Sequence, residues 1–288
     1  MFCPAGAALE ESPQVGEIIR IIRMNQSTAH PTSDSSHPGR NSGGQPAHAA
    51  AQSGKPGTAR RRQFISFSFY KLSADARRLP TEKLQGMMQG LVDLVRRNDP
   101  QKMFLLVYSC VGTRGDVDLM FWKISFSLEE IQNFSAAVNQ LALAGYLSTP
   151  FSYLAQSKRS TYVDKIDPQH DNVRALIVPG KKKYMFVYPF VKTREWYLLS
   201  KQTRQGIMDE HIEVGNRYPS VKLNTTYSFG IDDQEFVVAF ETDTPDDFLD
   251  LVQELRETEG SRYTLRDTPI FTCVQTPIEE LVRQLVKL

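Results

Sequence analysis

The chain has 288 residues and a formal net charge of +1, from 34 Lys and Arg against 33 Asp and Glu, with three cysteines and a hydrophobic fraction of 41%. Near-neutral charge, with no basic stretch interleaved with aromatics across a face, argues against a nucleic-acid binder, and no window approaches the roughly 20 continuous apolar residues of a membrane span. Cys3, Cys110 and Cys273 are scattered and show no CxxC spacing, so the sequence offers neither a disulfide framework nor a zinc site and fits a reducing cytoplasm.

Residues 1–60 read as a tail. From Asn25 to Arg60 there is no Val, Ile, Leu, Met, Phe, Trp, Tyr or Cys, and such a stretch cannot bury enough apolar surface to offset its ordering entropy. Ahead of it, Glu10, Glu11 and Glu17 stand where a signal peptide needs its apolar run, which argues against secretion.

Residues 61–155 predict a first folded half. Phe64 to Tyr70 alternates Ser with aromatics at period two, as a half-buried strand requires. A helix capped by Thr81 follows, with Leu84, Met87, Met88, Leu91, Val92 and Val95 at helical spacing. Strands at 103–111 and 118–126 flank a turn containing Gly112 and Gly115, and Ser127 with Glu130 forms a capping box for a helix carrying Ile131, Phe134, Val138 and Leu141.

After a linker at 156–182 the order recurs in 183–288. The pattern predicts a strand at 184–190, a helix near 201–214, a strand pair at 221–229 and 235–241, and a helix at about 245–257. Asp116 matches Asp233, and Glu130 and Ile131 match Asp247 and Phe248 at the same offset, so the halves read as copies. Each is β-α-β-β-α-β, the ferredoxin-like unit, whose helices cover one sheet face and leave the other apolar. The expected fold class is α+β, two ferredoxin-like repeats packed through those bare faces as a dimeric α+β barrel within one subunit.

Two histidines stand in the folded region. His170 lies in a polar, turn-like loop, Asp167 to Asn172. His211 shares a helical face with Ile207, Val214 and Tyr218, so its imidazole points at apolar surroundings and needs a partner. By itself that is more often a hydrogen-bonded core histidine than a metal ligand. No second His or Cys stands at ligand spacing for zinc, and one histidine suffices only where a macrocycle supplies the other donors.

The segment from Tyr188 to Leu199 (YPFVKTREWYLL), followed by Met208-Asp209-Glu210-His211, resembles the chlorite dismutase-like family. The likeness continues through Tyr227 to Gly230, Asp233 to Phe236 and Arg262-Tyr263, and appears in the first half as Asp118 to Trp122. It implies a haem protein, commonly a homopentamer, with haem in the second half and His211 as proximal iron ligand. Glu210 or another carboxylate would hold the second ring N–H.

Within that resemblance two activities compete. Chlorite dismutases carry a distal arginine seven residues before the turn glycine; counting back from Gly230 gives Leu223, with Lys222 beside it, and without a guanidinium an oxyanion loses its hold near the iron. The coproheme decarboxylase branch, in its actinobacterial form above all, fits better. It implies hydrogen peroxide-dependent conversion of iron coproporphyrin III to haem b, with Tyr188 as the redox residue and Lys192 as a carboxylate-binding or proton-supplying neighbour. Arg262 and Ser228 are the implied propionate-binding residues, with Arg266 a weaker one, and His170 the candidate distal base. A chlorite dismutase, a weak haem peroxidase or a non-catalytic haem-binding protein are the alternatives.

Overall fold

The computed structural model describes residues 61–162 and 176–286. The first half supplies β1 (Phe64–Leu72), α1 (Thr81–Arg96), β2 (Met103–Ser109), β3 (Leu119–Ser125), α2 (Leu128–Asn139) and β4 (Leu147–Gln156). The second supplies β5 (Tyr184–Lys192), α3 (Arg194–Leu198), α4 (Lys201–Asn216), β6 (Lys222–Tyr227), β7 (Phe236–Thr242), α5 (Pro245–Glu257), β8 (Thr264–Arg266) and β9 (Phe271–Gln275), and α6 (Ile278–Leu285) follows. The repeat is visible in the boundaries: β3 and β7 begin at 119 and 236 and end at 125 and 242, one constant offset.

Both halves have the ferredoxin-like strand order, β4-β1-β3-β2 in the first and β6-β7-β5-β9 in the second. They join edge to edge. One seam is β4 with β6 at Gln156↔Tyr227, the other β2 with β9 at Tyr108↔Gln275 and Ser109↔Val274. With β5 paired to β7, eight strands close into a barrel and β8 adds to β5 outside the ring, which leaves no bare edge among the eight. The fold is the expected dimeric α+β barrel.

The barrel interior is aromatic and apolar: Ile65, Phe67, Phe69, Met120, Trp122, Met185, Val187, Val237, Ala239 and Phe271 are all fully buried there. Phe69 stacks on Phe271 at 4.0 Å across the two halves. Outside, α1 and α2 cover the first half-sheet, and α6 packs with α1, so Leu281 and Leu285 complete the first half's core although they follow the second half in sequence.

Three local expectations are corrected. The strand β1 is buried on both faces, because Ser66 and Ser68, turned away from the barrel, lie under the helix layer rather than in water. Thr81 is the first helical residue of α1, not its cap; Pro80 flanks it at φ −52° and no side chain caps the end, a start that proline's fixed φ suits. At α2, Ser127 does accept from the Glu130 N–H, while its own hydroxyl donates to Glu129, so only one arm of the capping box forms. Among the described residues, no helix is long and apolar enough to cross a membrane.

Candidate functional site

The site is built from β5, α4 and the turn after α5. On β5 the period of two sends Phe186, Tyr188 and Phe190 to the helix-facing side, and Phe240 on β7 and Leu223 on β6 continue the Phe186 row across the half-sheet. Tyr188 is buried at 9% exposure and stacks on Phe240 at 5.9 Å and 18°. Burial pushes its phenol well above the usual range, with the Asp267 carboxylate adding to the shift and the Arg256 guanidinium opposing it. The phenol therefore keeps its proton, and the ion pair of Arg256 with Asp267 (2.5 Å) is the charged feature it senses.

Lys192 ends β5, and the short helix α3 turns Trp196 back over it. The ammonium lies 4.7 Å from the Trp196 ring centroid and 5.1 Å from that of Phe190, and donates to the Gly260 carbonyl at 2.9 Å. Its backbone N–H donates to Glu235 at 2.8 Å, the carboxylate that also accepts the Tyr197 hydroxyl at 2.6 Å. Burial lowers the Lys192 pKa to about 8, with Glu235 pulling the other way. Trapped between two rings, this amine titrates close to neutrality.

Helix α4 starts at Ser200, whose hydroxyl accepts from the Thr203 N–H at 3.1 Å. It presents His211 between the buried Ile207 and Val214, as its spacing predicts. Burial, and secondarily the charge of Lys192, lowers the His211 pKa to about 4. At neutral pH the ring is therefore uncharged, with a nitrogen lone pair available to a Lewis acid.

The tight turn Glu259–Tyr263 packs against this ring. A β-carbon on Gly260 would stand 3.8 Å from His211 Nδ1 and 3.6 Å from Ile207 Cγ2, so a larger side chain there would press on the imidazole. Glu210 does not hold the ring as anticipated: its carboxylate accepts the Glu259 N–H at 3.1 Å and ties α4 to the turn.

His211, Lys192, Trp196 and Gly260 thus form one cluster, with Tyr188 on the same face of β5. Arg262 sits two residues past Gly260, exposed and without an ion pair to any described residue. Arg266 is also exposed, on β8. Ser228 stands apart. It is fully buried, donates to the Leu154 carbonyl at 2.8 Å and accepts from Gln234 at 3.2 Å, so its hydroxyl is spent sewing β4 to the end of β6. His170 lies outside the described residues.

Leu223 is 48% exposed on the site-facing row, whereas Lys222 turns the other way, its ammonium donating to the Val178 carbonyl and 3.9 Å from the buried Glu241. Neither offers a guanidinium. Sequence reasoning missed Gly260, Glu235, Arg256 and Asp267. Arg256 in the last turn of α5 reads as an ordinary helix-end cation, and only the return of the chain through β8 brings Asp267 against it. Among the described residues, no group of three or more His, Cys, Asp or Glu could hold a bare metal ion.

The chain is 30% identical over 182 residues, 62% of its length and 76% of the relative's, to a coproheme decarboxylase of Mycolicibacterium smegmatis. It is 29% identical over 161 residues to that of Staphylococcus carnosus, covering 52% of this chain and 64% of the relative. A chlorite dismutase from Candidatus Nitrospira defluvii superposes with a TM-score of 0.70 at 26% identity, over 77% of this chain and 94% of that one. A haem-binding protein from Thermus thermophilus, at 24% identity and a TM-score of 0.68 over 77% of this chain and 94% of that one, shares the fold. The family model described as chlorite dismutase matches residues 83–276, from within α1 to just past β9, and takes in every residue of the His211 cluster: the chain belongs to the chlorite dismutase family.

Proposed function

We propose that the protein is a coproheme decarboxylase, which binds iron coproporphyrin III against α4 in the second half and converts two of its propionates to vinyl groups with hydrogen peroxide. The observation that carries the reading is the pairing of a neutral, largely buried imidazole at His211 with a protonated, buried phenol at Tyr188 on one face of one half-sheet. The 30% identity to a decarboxylase supports it independently.

The donor set fits such a group. His211 would supply the single protein ligand to iron, its lone pair free at neutral pH, and the exposed Arg262 and Arg266 would receive carboxylates. When bound, the iron centre supplies the reaction of peroxide. Each propionate, one peroxide consumed, gives one vinyl group, one carbon dioxide and two waters, which balances atoms and electrons.

The chain's own residues do the rest. Tyr188 holds the transferable hydrogen at its hydroxyl, and burial keeps it there. Lys192, with a pKa of about 8, gives up or regains a proton within the working range, as a proton supplier needs; its ammonium is held by a neutral carbonyl, a partner that a carboxylate outcompetes. The packed rings of Phe186, Phe240 and Phe248 give this face an apolar lining.

The test mixes the purified protein with iron coproporphyrin III and hydrogen peroxide and follows the porphyrin by mass spectrometry. Haem b is the expected product, and Tyr188→Phe stops its formation while leaving porphyrin binding intact. An unchanged porphyrin mass with the wild-type protein sinks the reading. Oxygen release on adding chlorite would instead favour a chlorite dismutase, which Leu223 and Thr225 on the site-facing side of β6 argue against.

A further inference from the structure

Cys110 and Cys273 are fully buried, 163 residues apart in sequence, and their sulfurs are 3.5 Å apart. They face each other across the β2–β9 seam: the register Tyr108↔Gln275, Ser109↔Val274 continues by one step to set Cys110 opposite Cys273. Directly opposed residues of an antiparallel pair have Cα atoms about 4.5–5.5 Å apart, inside the range of about 4.4–6.8 Å that a disulfide spans. The two cysteines that looked unrelated in sequence are therefore poised to bond without moving the backbone.

The surroundings suit the chemistry. Arg114 carries its guanidinium over the Phe271 ring at 4.7 Å, donates to the Ile270 carbonyl at 2.9 Å and pairs with Asp116. This places a positive charge beside the thiols; against it, burial and the hydrogen bond with Cys110 hold the Cys273 thiol well above its ordinary pKa. Both thiols are fully buried, so peroxide reaches them when the exposed turn Val111, Gly112, Thr113 opens, a turn held to β9 by the Thr113 hydroxyl on the Thr272 carbonyl, 2.7 Å, and by Arg114 on the Ile270 carbonyl, 2.9 Å.

We propose that Cys110 and Cys273 are an oxidisable pair that forms an intrachain disulfide across the barrel seam when the protein meets hydrogen peroxide. The Cys110 thiolate attacks one peroxide oxygen; the O–O bond breaks, giving a sulfenic acid and hydroxide. The Cys273 sulfur then attacks the sulfenic sulfur, the S–O bond breaks, and the departing hydroxyl and the thiol protons leave as water. Two thiols and one peroxide give one disulfide and two waters. The bond fastens the two halves of the barrel to each other at a seam held by two register pairs, and it stands whether or not the decarboxylase reading does.

The experiment uses the full chain carrying Cys3→Ser, so that the pair supplies every thiol. The folded protein is treated with excess hydrogen peroxide, quenched, denatured and alkylated with a maleimide. The expected result is loss of both alkylation sites, a peptide joining Cys110 to Cys273, reversal by dithiothreitol, and a thermal midpoint raised on the order of 5 °C in the oxidised form. Adding Cys110→Ser should abolish the cross-linked peptide. Two thiols still alkylatable after treatment, or sulfinic and sulfonic products without a cross-link, would overturn the proposal.

Discussion

The two halves of the barrel start from one plan and diverge in their helix layers. β1 and β5 begin at 64 and 184, and α1 and α4 run over 81–96 and 201–216, so an offset of 120 aligns strand and helix together. In that frame Leu72, Leu84 and Leu91, at 1%, 4% and 0% exposure, correspond to Lys192, Arg204 and His211, and Ser68 corresponds to Tyr188. Three apolar anchors of the first half are thus replaced by two cations and an imidazole in the second.

The packing follows the exchange. Twenty buried residues hold the first half's helices, together with α6, on their sheet, while six form the matching cluster in the second. The Arg204 Nε is buried without a hydrogen bond among the described residues, a state that costs free energy. A repeat that keeps its strands and gives up most of its helix-layer core acquires titratable groups at the same place.

Exchanging residues between the copies tests this. His211→Leu restores the first half's residue. It should cut the affinity for iron coproporphyrin III by more than about 100-fold, since loss of outer partners alone costs roughly 10- to 100-fold, without lowering the thermal midpoint of the unloaded protein; a Soret titration and a melting curve report both. An undiminished affinity would remove His211 from the site. The reverse exchange, Leu91→His, opens the packed layer and buries a polar ring, costing about 3–5 kcal/mol in denaturant titration. A neutral outcome would mean that the first half's layer is as yielding as the second's.

Acid titration separates the halves next. The His211 pKa falls from 6.5 to about 4 on folding, so between those values the unfolded chain binds the extra proton. Stability of the unloaded protein should therefore be fully present above pH 6.5 and decline toward pH 4, by about 3 kcal/mol for this group; His211→Leu should flatten that window. The smallest effect is Lys192→Met: with the neighbouring charge gone, the His211 pKa rises from about 4 but stays below 6.5, because burial is the larger cause. A ring-proton NMR titration reads the difference, and no rise would separate Lys192 from the imidazole.

Much of this was legible in the sequence because it is periodic or local. The offset between halves, the helix at 245–257 and the face shared by Ile207, His211 and Val214 all follow from spacing, and the structure reproduces them. What escaped depends on distant segments meeting. Glu210 looked like the partner of His211 because it is adjacent in sequence, yet the turn at Glu259 claims its carboxylate. Ser228 looked free because nothing local marks a hydroxyl that Leu154 and Gln234 will occupy. Gln156, read as the first residue of the linker, is the last residue of β4 and closes a seam visible only once both sheets exist.

The placement of α6 bears on how the chain is made. Ile278, Leu281, Val282 and Leu285 cover the core of the half that is synthesised first, so the layer around Met88 and Leu91 waits uncovered until α6 has left the ribosome. A product ending at Thr276 would hold every strand of the barrel and the whole His211 cluster, and would still show a greasy flank to chaperones and proteases.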